Sequence, residues 1–436
     1  MSKPLSTNHD VRMRGFARRT TVAAALAWLD RQIRPLPETI VPLADAAGRV
    51  LASGVTSGVD VPSFARAMMD GFAVRAADTL GASPYNRLPL TVLGESMPGR
   101  AFEGRVGPGQ AVRIMTGAPM PDGADAVLPA EIVEIQEGRV WAQGEVSPQK
   151  HVGRIGEDIA AGAEVLSSGR ILRPQDLGVL SSIRVGQVPV IRRPHVRIVV
   201  TGNELLPAGL SSRDVSPRDR PGATAGLSSS DVSPRDRYKI ADANGPMLRA
   251  LVARDGGVPE YPGIVPDDPE AILAAMRSPA DVVLVSGGSS VGQEDHAPAL
   301  LIRHGQLPIH GIAMRPSSPT GMGLLDGRLV FLLPGNPVSC LTAYDFFAGR
   351  AIRGLGGRGA AWPYRRISAP LARKIVSTIG RLEYLRVRLV DGRVEPLAIG
   401  GASILSSTTR ADGFVVIRDD SEGYPPGTEV DVFLYD

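Results

Sequence analysis

The sequence predicts a multidomain fold that combines an α/β domain, built on a mostly parallel sheet, with two β-rich regions. Three observations predict it. The chain has 436 residues, too many for one ordinary core; one domain per roughly 150 residues suggests about three. Strands alternate with helical patterns from His195 onward, the order that makes a parallel sheet. Short apolar runs cut by Gly and Pro occupy the stretches on either side, which reads as β structure with tight turns.

In chain order, Thr20 or Thr21 can cap a helix to about Arg34, with Val22, Leu26, Leu29 and Ile33 on one face. From Val55 to Gln149 the runs Leu90–Leu93, Val112–Met115 and Ala126–Leu128 lie between turn residues. The segment Leu172–Val190 is expected to return beside the first helix. Three strands follow: Val196–Val200, Asp281–Val285 and Leu329–Leu333. Helices are expected at Asn244–Asp255 and after Asp267-Asp268-Pro269-Glu270, where Pro and acids suit a helix start. Beyond Gly356 the pattern is β again, with a hairpin turn at Val390-Asp391-Gly392-Arg393. The expected segmentation is 15–54 and 160–194 as a two-part helical connecting segment, 55–159 as an inserted β-rich domain, 195–356 as the α/β domain and 357–436 as a C-terminal β domain.

Composition excludes several function classes. Cys340 is the only cysteine, so no internal disulfide forms and a thiolate metal site is disfavoured. The six histidines show no ligand spacing, which disfavours a zinc enzyme. No run reaches the roughly 18 apolar residues of a membrane span, and no apolar core follows the N-terminal arginines; a cytoplasmic protein is expected. Net charge is +3 with both signs interspersed, unlike the basic stripe of a nucleic-acid binder. Four of the 48 basic residues are lysine, so arginine is the standing choice wherever a cation is needed. Segments 209–220 and 226–237 match at 11 of 12 positions; this polar duplication is expected to be a solvated loop.

The three strands of the α/β region end in Thr201-Gly202, Ser286-Gly287-Gly288-Ser289 and Pro334-Gly335-Asn336-Pro337. Ligands of open α/β sheets bind outside the carboxyl ends of strands. Glycine lets backbone approach closely, so three such loops point to a phosphate-bearing ligand, although each alone is an ordinary turn. Acids stand beside them: Glu204, Asp267 and Asp268, Glu294 and Asp295. Carboxylates beside a phosphate repel it unless a hard cation bridges them, as Mg²⁺ does; helix capping is the competing explanation for Asp267. In the first β region, Met69-Asp70-Gly71-Phe72-Ala73-Val74 and Thr116-Gly117-Ala118-Pro119 place polar groups at turns inside apolar runs, and Gly156-Glu157-Asp158-Ile159 places two acids beside a glycine.

These segments, with Asp60-Val61-Pro62, Arg113-Ile114-Met115-Thr116, Ser286 to Gly292 and Leu333 to Ser339, occur in one order. In that order the chain resembles the molybdopterin molybdenumtransferases, the bacterial relatives of the gephyrin E domain, from about residue 15 to the end. The resemblance implies a molybdopterin-binding α/β domain, an inserted β domain, a helical connecting segment and a C-terminal β-barrel. It implies a homodimer in which the β domain of one subunit faces the α/β domain of the other. It implies a reaction of adenylylated molybdopterin with molybdate and Mg²⁺, releasing AMP, and dealings with a molybdopterin adenylyltransferase and client molybdoenzymes. Carried over by motif, Asp70, Thr116, Asp158, Glu204 and Asp295 are catalytic. Glu204, Asp268 and Asp295 hold metal. Ser286, Gly287, Gly288, Ser289, Pro334, Gly335, Asn336 and Pro337 bind substrate, and Arg315, Ser339, Arg381 and Ser403 hold molybdate. Arg315-Pro316-Ser317-Ser318-Pro319 departs from the family's Lys-Pro-Gly-Lys-Pro, and Ala65, Ala67 and Met68 replace an Asp, a Ser and an Ala. Ser318 removes a full charge, which favours a second reading, a catalytically inactive carrier or sensor of molybdopterin; the retained acids oppose it.

Overall fold

The computed structural model describes residues 19–207, 239–288, 295–397 and 403–435. The duplicated segment, Ser289 and Glu294 lie outside them. Two compact units are present: one is the continuous stretch Ile40–Val190, the other joins the chain up to Thr39 with Ile191 onward.

The larger unit is organised by a mixed sheet. Strands Val258–Glu260, His195–Thr201, Val282–Ser286 and Arg328–Leu333 run parallel in that order, and Gly321–Leu325 and Gln306–His310 extend it antiparallel. The strands are almost wholly apolar because both faces are covered. On one face Val196, Ile198 and Val200 share a core with Leu248 and Val252 of helix Asn244–Arg254 and with Val22, Ala25 and Leu29 of helix Val22–Gln32. On the other, Val199, Val283 and Val285 pack with Ile272 and Met276 of helix Pro269–Arg277 and Leu301 of helix His296–His304. Thr21 caps the first helix by accepting a hydrogen bond from Ala24 N at 3.2 Å.

Register places the site. Val200 pairs with Ser286 and Ser286 with Leu333, so the three glycine-bearing loops start at one level of the sheet.

The last part of the chain forms a second mixed sheet: Met314–Arg315, Leu382–Val390, Gly413–Ile417, Glu429–Leu434 and Arg366–Pro370, with Arg393–Pro396 paired to Leu382–Val390. Asp391 and Gly392, both at positive φ, make the expected hairpin turn. Among the described residues its strands follow an open path, and the segment after Arg366–Pro370 meets Arg393–Pro396 through the bridge Leu371–Val394. Met314–Arg315 comes from the α/β region but pairs parallel with Leu382 and Glu383. Phe414 stacks on Tyr384 with centroids 4.2 Å apart, fixing that strand against its neighbours.

In the smaller unit a six-stranded sheet has Gly71–Val74 near its edge, between Gln110–Ile114 and Ala126–Pro129. The expected helical connecting segments each hold one helix, Val22–Gln32 and Pro174–Ser182. Among the described residues their remainders are strands, turns and a short 3₁₀ helix at Leu43–Asp45, since Pro and Gly interrupt them. No helix among the described residues is long and apolar enough to cross a membrane.

Candidate functional site

The glycine loops open into a cavity of about 520 Å³. Gly287 has φ +93, and a Cβ there would lie 2.1 Å from the Thr201 carbonyl oxygen, so only glycine lets these two loops sit side by side. The expected Ser286, Gly287, Gly288, Pro334, Gly335, Asn336 and Pro337 all line this cavity, as do Glu204 and Asp295.

Two residues the sequence reading passed over hold the cavity together. Asn244 donates from Nδ2 to Ser286 Oγ at 2.9 Å and to the Gly335 carbonyl at 2.7 Å, tying the second loop to the third. Asp242 accepts from the backbone of Asn244 and Gly245 and from Tyr261 Oη at 2.6 Å, anchoring the helix start. The only available signal was the Asp-Ala-Asn-Gly run at a helix start, which resembles any cap.

Asp268 does not join the cavity. Its carboxylate caps helix Pro269–Arg277, accepting from Ala271 N at 2.8 Å. Asp267 accepts from Asn203 N at 2.9 Å and from the Thr201 hydroxyl. Among the described residues no three acids, histidines or cysteines converge on a metal, so the expected trio of Glu204, Asp268 and Asp295 is not assembled. The pair Glu204 and Asp295 remains, and that suits an ion completed by substrate oxygens.

A second cavity, about 300 Å³, shares Pro319, Pro334 and Asn336 with the first. Arg315, Ser339 and Arg381, the residues proposed from the sequence to hold molybdate, line it together with Ser317, Ser318, Glu383 and Arg386. Ser403, expected here, lines the larger cavity instead. The strand pairing of Met314–Arg315 with Leu382–Glu383 explains why residues so far apart in sequence meet. Arg315 Nη1 lies 3.4 Å from Glu383 Oε1. Ser317, at φ +84, donates to the Ser339 carbonyl at 2.6 Å. Ser318 donates to the Ile312 carbonyl at 3.2 Å and accepts from Arg19 Nε at 2.9 Å.

Cys340 sits behind Ser286, with Sγ 3.8 Å from its Oγ. It is fully buried, and burial pushes its thiol up to about 12. Such a thiol neither ligates nor attacks.

In the smaller unit, Asp70 accepts from both the Thr116 amide and hydroxyl at 2.7 Å, which holds its carboxyl below the usual range. The motifs around them converge through backbone pairing: Ala67 bonds to Gly117 and Ala118, and Val61 bridges Ile159. Asp158 is exposed, its amide bonded to the Val61 carbonyl at 3.0 Å.

Comparison with known proteins bears on this geometry. Residues 20–183 match the MoeA N-terminal region (domain I and II), 197–353 the "probable molybdopterin binding domain", and 368–435 the MoeA C-terminal region (domain IV). Molybdopterin molybdenumtransferase 2 of Mycobacterium tuberculosis is 32% identical, covering 94% of this chain and 97% of its own. The chain belongs to the MoeA family. The molybdopterin molybdenumtransferase of Staphylococcus aureus is 28% identical over 95% of each chain. A crystal structure of the molybdopterin biosynthesis MoeA protein from Pyrococcus horikoshii superposes with a TM-score of 0.77 at 31% identity, covering 96% of this chain and all of that one. The MoeA likeness thus extends across both units and both cavities, in keeping with the resemblance read from the motifs.

Proposed function

We propose that this MoeA-family chain is a molybdopterin molybdenumtransferase that inserts molybdate into adenylylated molybdopterin and releases AMP, a late step of molybdenum cofactor biosynthesis. One observation carries the reading: two adjoining cavities of opposite character share Pro319, Pro334 and Asn336. The larger presents glycine loops and the carboxylates of Glu204, Asp242 and Asp295, suited to a pyrophosphate bridged by a cation. The smaller presents arginines, suited to a tetrahedral dianion. A substrate bridging them brings its reacting end to the oxyanion and leaves its adenylate beside the acids.

In this mechanism the backbone of Gly287, Gly288 and Gly335 approaches the phosphates, and Asn244 keeps the two loops at fixed spacing. Glu204 and Asp295 are the residues that would hold Mg²⁺, which supplies charge neutralisation to the leaving phosphate. Arg315 and Arg381 orient molybdate, with Ser339 beside them. Asp70, Thr116 and Asp158 are proposed members of the catalytic set, and Ser403 a substrate contact. The segmentation given by the sequence stands as the proposed domain plan, with a C-terminal barrel and a cytoplasmic homodimer.

Purified protein given Mg²⁺, molybdate and adenylylated molybdopterin should release AMP and activate an apo-molybdoenzyme. Glu204→Gln and Asp295→Asn should each lower turnover at least about tenfold, with melting temperature nearly unchanged because neither acid is a core contact. Substrate binding without AMP release at any molybdate concentration would select the carrier or sensor instead.

A further inference from the structure

Among the described residues no carboxylate pairs with Arg386, and its buried Nε has no hydrogen-bond partner. Arg386 lies on strand Leu382–Val390, is 5% exposed and lines the smaller cavity. Its carbonyl is satisfied by Leu397 N at 3.0 Å, so the strand does not need the side chain. Its neighbours include Tyr384 and Tyr435, whose hydroxyls bond to each other at 2.6 Å. Burial works against the charged form of the guanidinium, yet arginine stays protonated. A buried cation without a counter-ion is costly, and an apolar side chain of similar volume would serve folding better.

The cavity's own charges show what is missing. Three guanidinium groups, Arg315, Arg381 and Arg386, face one carboxylate, Glu383, leaving a surplus of two positive charges. Glu383 is engaged with Arg315 at 3.4 Å. Ser318 cannot supply a proton to a ligand while its hydroxyl donates to the Ile312 carbonyl. Ser317 likewise directs its hydroxyl to the Ser339 carbonyl.

We propose that Arg386 is a direct ligand of the oxyanion in this cavity, supplying from the strand interior the positive charge that position 318 lacks. The proposal rests on the reading that the cavity receives molybdate. A tetrahedral dianion there balances the surplus of two charges, and the cost of burying Arg386 is offset when the anion binds. Ser318 then belongs to the scaffold, where Arg19 latches it.

The test is titration calorimetry of the full chain with sodium molybdate at fixed ionic strength, alongside thermal melting with and without molybdate. Arg386→Met should weaken molybdate binding by at least about tenfold, melt no lower than the wild type without ligand, and lose the molybdate-induced rise in melting temperature. Binding of adenylylated molybdopterin should stay within about twofold. Arg386→Lys, which keeps the charge but not the fork, should recover part of the affinity. Equal molybdate affinity in wild type and Arg386→Met overturns the inference and leaves the proposed function standing. No molybdate binding by the wild type overturns both. If Arg386→Met melts lower than the wild type, Arg386→Lys decides: weaker molybdate binding at unchanged melting supports the ligand role, and unchanged binding refutes it.

Discussion

Single residues in the smaller cavity carry conflicting demands, and Ser317 shows the balance. Where the family motif has glycine, this chain places a β-carbon at φ +84. The left-handed region costs an ordinary residue roughly 1–2 kcal/mol. The hydrogen bond from its hydroxyl to the Ser339 carbonyl contributes about 1 kcal/mol in return. Ser317→Gly removes both effects and should stay within about 1 kcal/mol of the wild type. Ser317→Ala keeps the strain, loses the bond and should fall by about 1–2 kcal/mol. Urea unfolding of the two variants separates these accounts; an alanine variant as stable as the glycine one would show that the backbone here carries no strain.

Elements are joined in this molecule by charged caps as well as by cores. In the first turn of helix Pro174–Ser182, Asp176 is 3% exposed and accepts from Arg170 at 2.9 and 3.0 Å and also from Arg173. Hydrogen bonds from Arg170, then those from Arg173, hold its carboxyl far below the usual range. A carboxyl whose pKa is depressed by folding stabilises above its unfolded value near 4 and loses that contribution as pH falls further. Asp176→Asn should therefore cost about 2 kcal/mol at pH 7, and the gap from wild type should narrow steadily below about pH 4. A gap that is constant from pH 7 to pH 3 would mean that the side-chain shape, not its charge, is what the helix needs. Strand ends and helix starts were legible in the sequence at this scale. The Thr201, Ser286 and Pro334 loops could be brought together on paper because parallel strands present their carboxyl ends on one edge. Asp268 was ambiguous in the sequence because a cap and a metal ligand look alike, both being acids before a helix; the structure shows it in the cap position. Arg386 was hidden in a strand where its neighbours Glu383 and Arg388 read as ordinary polar residues. The Arg19–Ser318 bond joins residues 299 positions apart, beyond any local pattern.

At the scale of the whole molecule, the order of segments was legible because each carries its own periodicity and punctuation. The way the α/β region lends Met314–Arg315 to the second sheet was not, since a two-residue strand has no period. That loan builds the smaller cavity, whose arginine-bearing wall depends on two sheets holding together. The fully buried thiol of Cys340 lies directly beneath Ser286. Because it is the chain's sole cysteine, it is a built-in clock for the opening of the sheet under the glycine loops. A thiol pushed up to about 12 reacts with an alkylating reagent only when the structure around it lets go. Labelling of the native protein should thus be at least about a hundredfold slower than in denaturant, and slower still once a ligand occupies the neighbouring cavity. A single mass shift per molecule, followed over hours, would time an event that activity measurements never see.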